Sequence, residues 1–259
     1  MTDADVIVLD IDGGPMLADC LNSIEGAKRV IVFDNGSRVP SFHRGVEIMR
    51  SEQNLGFARG ANEAYRATTA PYVALVNNDV VLDPGWLAIV SEALDRDEKL
   101  AAVQTIIRRP DGRIDGAGID VSDGTFRQIG YGLPVGANLS VAWGVSATAT
   151  LYRRAALGER LFDERLGTYY EDVELSARLR EAGWRTAVLP VVKATHRGSA
   201  SANVLGKNAL RLRTRNRYLV ARMHRGTGSI AALLWEDARL ALRGRTSIRG
   251  VIEGLWSRL

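Results

Sequence analysis

Short apolar runs of strand length at Val6 to Leu9, Arg29 to Phe33, Val46 to Met49, Tyr72 to Val76 and Ala101 to Ile107 alternate with helical patterns. Those patterns fall at Met16 to Ile24, Phe57 to Thr68 and Pro84 to Leu94. A chain that switches repeatedly between the two is of the α/β class, with a mostly parallel sheet flanked by helices. With 259 residues, 46% of them apolar, it can bury one sizeable core. In open sheets of this kind ligands sit beyond the carboxyl ends of the strands. Asp34 and Asp79 fall at two such ends.

From Arg113 to Tyr131 the pattern breaks at Gly116, Gly118, Asp123-Gly124, Gly130 and Gly132, which suits a hairpin. The sheet is expected to resume with Ser140 to Tyr152, followed by a helix from about Glu171 and strand-like runs at Thr186 to Leu189 and Val191 to Thr195. The uncharged stretch Tyr131 to Tyr152 is long enough to cross a bilayer. Its Gly, Ser, Asn, Thr and Pro content favours buried strand and loop instead. Asp3, Asp5 and Asp10 interrupt the only early apolar run, so no amino-terminal signal is read. The single cysteine, Cys20, forms no internal disulfide and fits a reducing, cytoplasmic setting.

Charge divides the chain into an expected catalytic domain, 1–203, and a basic helical extension, 204–259. The second part holds 12 basic and 3 acidic side chains; the first holds 22 and 27. Lys207 to Arg225 carries seven Lys or Arg and no acid, interleaved with Leu210, Leu212, Tyr218, Leu219 and Met223. That reads as a basic amphipathic helix suited to an anionic membrane surface, with the cell membrane's inner face as a peripheral location. No recognised nucleic-acid-binding motif accompanies it, so nucleic acid is not an expected partner.

Five stretches carry candidate chemistry. Asp34-Asn35-Gly36-Ser37 ends a buried strand; its aspartate is either a turn residue or an acceptor for a ribose or base edge. In Asn54-Leu55-Gly56-Phe57-Ala58-Arg59-Gly60-Ala61-Asn62, two glycines bracket Arg59 at a helix start. A helix dipole and a cation thus meet where a phosphate can bind. Asn77-Asn78-Asp79 closes another strand, either as a plain turn or as oxygen ligation for Mg²⁺ or Mn²⁺. His196-Arg197-Gly198-Ser199 follows a late strand. Its imidazole is either packed or a metal ligand, and Arg197 can pair with phosphate. In Tyr169-Tyr170-Glu171-Asp172-Val173-Glu174-Leu175, the spacing of Leu175, Leu179 and Ala182 and the stop at Gly183 place Glu171 and Asp172 in a first helical turn. Such carboxylates cap helices; one beside an aromatic wall can also take a proton from a sugar hydroxyl. Outside these five, Trp143-Gly144 either stacks on a sugar or fills core, with Gly144 allowing donor atoms to approach closely.

Taken in order, the five stretches resemble the family 2 glycosyltransferases, particularly the branch with bacterial rhamnosyltransferases, over about Val6 to Arg225. The resemblance implies a GT-A fold and inverting transfer from a nucleoside-diphosphate sugar. For that branch the donor is dTDP-rhamnose and the acceptor a saccharide or lipid-linked saccharide of the cell envelope. It implies Asp172 as catalytic base, with Glu171 orienting the loop or acceptor. Asp34, Gly56, Arg59, Asn62, Asn78 and Arg197 are implied on the donor nucleotide, and Asp79 with His196 on Mg²⁺ or Mn²⁺. The hairpin from Arg113 is read as an acceptor-side insert. One departure stands out: Leu9-Asp10-Ile11-Asp12-Gly13-Gly14 replaces the family's usual polar-aromatic-asparagine strand end, leaving base recognition to Asp10, Asp12 or a reorganised loop. The rival readings are a catalytically silent sugar-nucleotide scaffold and a nucleotidyltransferase.

Overall fold

The computed structural model describes residues 2–121, 124–198, 207–224 and 228–257. Its frame is a nine-stranded sheet. The strands are β1 (Ala4–Asp10), β2 (Arg29–Asn35), β3 (Glu47–Ser51), β4 (Tyr72–Asn77), β5 (Val80–Leu82), β6 (Leu100–Arg108), β7 (Ile114–Gly116), β10 (Ala149–Arg153) and β11 (Arg185–His196). A separate hairpin pairs β8 (Ile119–Asp120) with β9 (Arg127–Gln128) inside the Gly-rich insert. The order across the large sheet is β3-β2-β1-β4-β10-β6-β11-β5, with β7 beside β6.

Side chains alternate across each strand, so one sequence run feeds two cores. Val6, Val8, Val32, Ala74 and Val76 face α1 (Pro15–Asn22) and α3 (Trp86–Arg96) through Leu17, Leu21, Trp86, Val90 and Leu94. Ile7, Leu9, Ile31, Phe33 and Leu75 face the opposite layer. That layer contains α2 (Phe57–Ala67), α4 (Arg154–Leu157) and α5 (Glu171–Glu181), contributing Ala58, Ala61, Tyr65, Leu157, Leu175 and Leu179.

The structure corrects three expectations. The sheet is mixed rather than mostly parallel: β1–β2, β1–β4, β2–β3 and β6–β11 are parallel, while β4–β10, β6–β10, β5–β11 and β6–β7 are antiparallel. Apolar runs give the existence of strands but not their direction. Of Ser140 to Tyr152, only Ala149 onward is strand. The two runs around Pro190 join into one strand, β11, whose register against β6 shifts between Leu189 and Val192, where proline offers no N–H to the ladder.

The carboxyl-terminal helices are α6 (Lys207–Met223), α7 (Ile230–Ala241) and α8 (Ile248–Trp256). Leu219 and Val220 of α6 are buried against Ile119, Leu166 and Val173 of the catalytic body. Buried Gly250 and Gly254 let α8 lie directly on α6, since a Cβ at either would come within 2.6 Å of the Arg211 or Arg215 carbonyl oxygen. Three of the cations expected on a membrane-facing helix have partners within the protein. Arg211 pairs with Glu253, Arg217 with Glu236 and Asp237, and Arg222 donates to the carbonyls of Gly254 and Ser257. Arg225 lies outside the described residues, as does Ser199. Among the described residues no helix is long and apolar enough to cross a membrane.

Candidate active site

Glu171 and Asp172 open α5, and the chain enters them through two consecutive left-handed residues, Tyr169 (φ 76°) and Tyr170 (φ 69°). Neither is glycine, so each costs roughly 1–2 kcal/mol and persists only because its surroundings hold it. The clamps are visible. Buried Asn216 of α6 donates its side-chain amide to the carbonyls of Leu166 (2.7 Å), Thr168 (2.9 Å) and Tyr169 (2.8 Å). The N–H of Ala58, in the first turn of α2, donates to Gly167 O at 2.7 Å. The Arg213 guanidinium lies 4.4 Å from the Tyr169 ring centroid, and Phe126 packs edge-on against Tyr170.

The two carboxyl groups sit in different surroundings. Burial, and then the neighbouring Asp172 charge, push Glu171 up to about 8. Its Oε2 has no hydrogen-bond partner. Burial also raises Asp172, but the N–H groups of Val173 (2.8 Å) and Ala147 (3.4 Å) donate to its oxygens and favour the charged form. Glu171 has no such donors to its Oε2, and the Asp172 charge favours the proton on it. A pair whose environments separate its two proton affinities divides into an acid and a base.

At the end of β11, His196 lies between two aspartates. Its Nδ1 is 2.8 Å from Asp115 Oδ2 and its Nε2 3.2 Å from Asp79 Oδ1. Burial lowers the affinity of this imidazole for a proton, but the bonds to Asp115 and Asp79 outweigh that and raise it to about 10. Nearby, the buried Asn77 Oδ1 has no partner. Among the described residues no group of three or more His, Cys, Asp and Glu is arranged to hold a metal.

These parts line one cleft with two lobes. A lobe of about 290 Å³ is walled by Asn77, Asp79, Thr148 and His196, and one of about 360 Å³ by Ile119, Phe126, Arg127 and Tyr170. Gln128, Tyr169, Glu171, Asp172 and Arg213 border both. Both carboxyl groups therefore stand where the two lobes meet.

The sequence profile of Glycosyl transferase family 2 matches residues 6–161. The chain belongs to this family. It is 26% identical over 291 residues to the N-acetylglucosaminyl-diphospho-decaprenol L-rhamnosyltransferase of Mycobacterium tuberculosis, covering 96% of this chain and 94% of the relative. A pre-mycofactocin glycosyltransferase of the same organism is 27% identical over 202 residues, covering 75% of this chain but 42% of that protein. Among solved structures, residues 1–349 of S. aureus TarS in complex with UDP-GlcNAc match with a TM-score of 0.61 at 17% identity, over 86% of this chain and 65% of that one. The mannosyltransferase PcManGT of Pyrobaculum calidifontis, in complex with GDP-Man and Mn²⁺, matches with 0.59 at 18% identity, over 99% of this chain and 88% of its own. The fold is therefore the GT-A fold.

Of the residues anticipated in this glycosyltransferase, Asp79, His196, Glu171 and Asp172 border the cleft. The others have work elsewhere. Asn62 is buried, its oxygen accepting from the N–H of Leu161 and Phe162 and its amide donating to Phe162 O, so the expectation that it meets the donor is corrected. Arg59 is exposed on α2 beside Glu63. The first N–H groups of α2 go to Gly167 O and Thr168 Oγ1 rather than to a phosphate. Gly56 (φ 83°) permits that docking: a Cβ there would come within 3.3 Å of Gly167 O. Asp34 accepts from the N–H groups of Ser37 and Ser41 and from Arg50; burial alone would raise it, but these donors hold it below the usual carboxylate range. Asn78 donates to Asp10 Oδ1 at 2.6 Å, tying the atypical first-strand end to β4. Arg197 pairs with Asp19 at the surface, while its backbone N–H supports Asp79 O. Trp143 packs partly buried beside Ile119 and Val173, and Gly144 makes room for Ser176 of α5, not for a donor.

Sequence reading missed Asn216, Arg213, Gln128 and Asp115. Asn216 and Arg213 sit in a basic run where charge draws all the attention. Asp115 lies 81 residues from His196, so only folding brings them together.

The raised Glu171 affinity predicts a pH effect on stability. An acid with a folded pKa above its unfolded value stabilises fully below the unfolded value, and that stability is lost as pH rises through about 8. Glu171→Gln, an uncharged isostere, should flatten the fall in melting temperature between pH 6 and pH 9. An identical fall in the two proteins would rule out a proton on Glu171.

Proposed function

We propose that the chain is an inverting glycosyltransferase that moves a sugar from a nucleoside-diphosphate donor, with dTDP-rhamnose the first candidate, to a lipid-linked saccharide. The observation that carries the reading is Asp172 bordering both lobes, its oxygens accepting from the N–H groups of Val173 and Ala147. The lobe with Asp79 and His196 receives the donor and the lobe with Phe126 and Tyr170 the acceptor. Asp172 takes the acceptor hydroxyl proton as the oxygen attacks the anomeric carbon. The bond from that carbon to the diphosphate breaks on the opposite face, and the nucleoside diphosphate leaves with the electron pair. Glu171, still protonated, adds no second negative charge beside the base. The rhamnosyl donor and lipid-linked acceptor are supported by the name of the mycobacterial relative, which is alike over nearly its full length.

In this reading Asp79 and His196 would hold a divalent cation in the donor lobe, the imidazole giving up its proton as the metal binds. Asp79 Oδ1 and His196 Nε2 stand 3.2 Å apart, close to the roughly 3 Å between neighbouring ligands on an octahedral cation with bonds of about 2.1 Å. The unpartnered Asn77 Oδ1 adds an oxygen to this lobe. Two protein ligands suit Mg²⁺ or Mn²⁺, which keep waters and substrate phosphates as further ligands. Asp115 would fix the imidazole with Nε2 toward Asp79, as outer partners of metal-bound histidines do. When bound, the cation would offset the charge of the departing diphosphate.

A screen of nucleotide sugars with Mn²⁺ or with chelator tests donor and metal together. Release of nucleoside diphosphate from dTDP-rhamnose, and a product of inverted anomeric configuration by NMR, are the expected results. Asp79→Ala should weaken Mn²⁺-dependent donor binding about tenfold or more with a small change in melting temperature. Full activity of the wild type in chelator would remove the metal, and retention of configuration would remove the single displacement.

A further inference from the structure

The acceptor lobe does not end at the catalytic carboxylates. Arg127, which lines it, also lines a separate groove of about 550 Å³ between the Thr125–Arg127 segment and the outer side of α7. Helix α7 is anchored on its other side. Leu233 and Asp237 are buried, and Asp237 accepts from Arg217, Tyr218 and Thr246. The groove side presents Trp235, 70% exposed, and Leu242, 90% exposed, together with Arg239 and Arg243. Glu236 also borders the groove, but Arg217 holds it at 2.8 Å. Among the described residues no carboxylate pairs with Arg239 or Arg243. A large exposed indole beside two arginines suits a ligand that is anionic at one point and apolar beyond it.

We propose that this groove holds the phosphorylated, apolar-tailed end of the acceptor, an isoprenoid diphosphate. Arg239 and Arg243 take the phosphate oxygens, and Trp235 and Leu242 cover the first isoprenoid units. Arg127 stands where the ligand passes toward Asp172. The assignment rests on the lipid-linked acceptor proposed above, and it names the surface that recognises the lipid rather than the sugar. It also gives the carboxyl-terminal region a role: α6 holds the catalytic loop through Asn216, while α7 forms the acceptor's outer site.

The test needs no turnover, so it stands apart from the transferase reading. Calorimetric titration of the full chain with farnesyl diphosphate should show binding, and inorganic diphosphate or farnesol alone should bind at least tenfold more weakly. Arg239→Gln with Arg243→Gln should weaken farnesyl diphosphate binding about tenfold or more, and Trp235→Ala should weaken it by several-fold, each at an unchanged melting temperature. Asp172→Asn should leave that binding intact. Farnesyl diphosphate binding that is absent, or untouched by both groove variants, overturns the proposal. So does inorganic diphosphate binding as tightly, which marks a phosphate site alone. Phosphatidylglycerol vesicles binding through these side chains without farnesyl diphosphate binding would make the face a bilayer contact and equally overturn it.

Discussion

Replacing Asp172 with asparagine should lower transfer on the order of 10²–10⁴-fold, the usual contribution of a positioned general base, and leave donor affinity nearly unchanged. Asparagine keeps the shape, and its single amide oxygen can still accept from the Val173 N–H at 2.8 Å, giving up only the longer 3.4 Å bond from Ala147, so the fold should survive. What is lost is the site for the proton. In the wild type, kcat/KM should rise with pH as Asp172 deprotonates, above the range of an ordinary aspartate because burial raises it. The limb should be missing from the residual activity of Asp172→Asn. Near-normal turnover by that variant would take Asp172 out of the mechanism and move attention to Glu171.

The second large effect is expected at Asn216, which touches no reacting atom. Asn216→Ala removes the side-chain donor from three carbonyls, at Leu166, Thr168 and Tyr169, of which Leu166 keeps the Thr168 N–H as a second donor. An unmet buried polar group costs roughly 1–3 kcal/mol. The left-handed Tyr169 and Tyr170 lose a restraint, so Glu171 and Asp172 should no longer be held in one geometry. We expect kcat to fall about tenfold or more while donor KM changes little, because misplaced catalytic groups cost rate before binding. Asn216→Asp, of the same shape but with no amide donor, should fail similarly. Leu219→Ala, on the same helix but in the apolar cluster, should lower the melting temperature with kcat retained well below it. If Asn216→Ala loses only stability, to the same degree as Leu219→Ala, the clamp has no catalytic role.

Periodicity made the frame legible. Strands at β1, β2, β4 and β6 and helices at α1, α2 and α3 fall within a few residues of the expected bounds, because local apolar spacing is what drives them to the sheet. Asp79 and the Glu171–Asp172 pair were legible as well, since a strand end and a helix first turn are local features that the chain spells out.

The sequence by itself therefore determined the α/β class, the alternation that builds two cores from one set of strands, and the carboxylates at the ends of elements. Tertiary structure alone decided strand direction, the joining of Asp115 to His196, and the use of the α2 amino terminus to dock Gly167 rather than a phosphate. It also supplied partners for several charges of the basic tail, which read as suited to an anionic membrane surface: Glu253, Glu236, Asp237 and a set of carbonyl oxygens were unidentifiable before folding. The physical reason is common to all of these. A propensity acts over a few neighbouring residues and leaves its trace in their spacing, whereas a hydrogen bond or ion pair between distant segments exists only once packing has brought them together and removed the water.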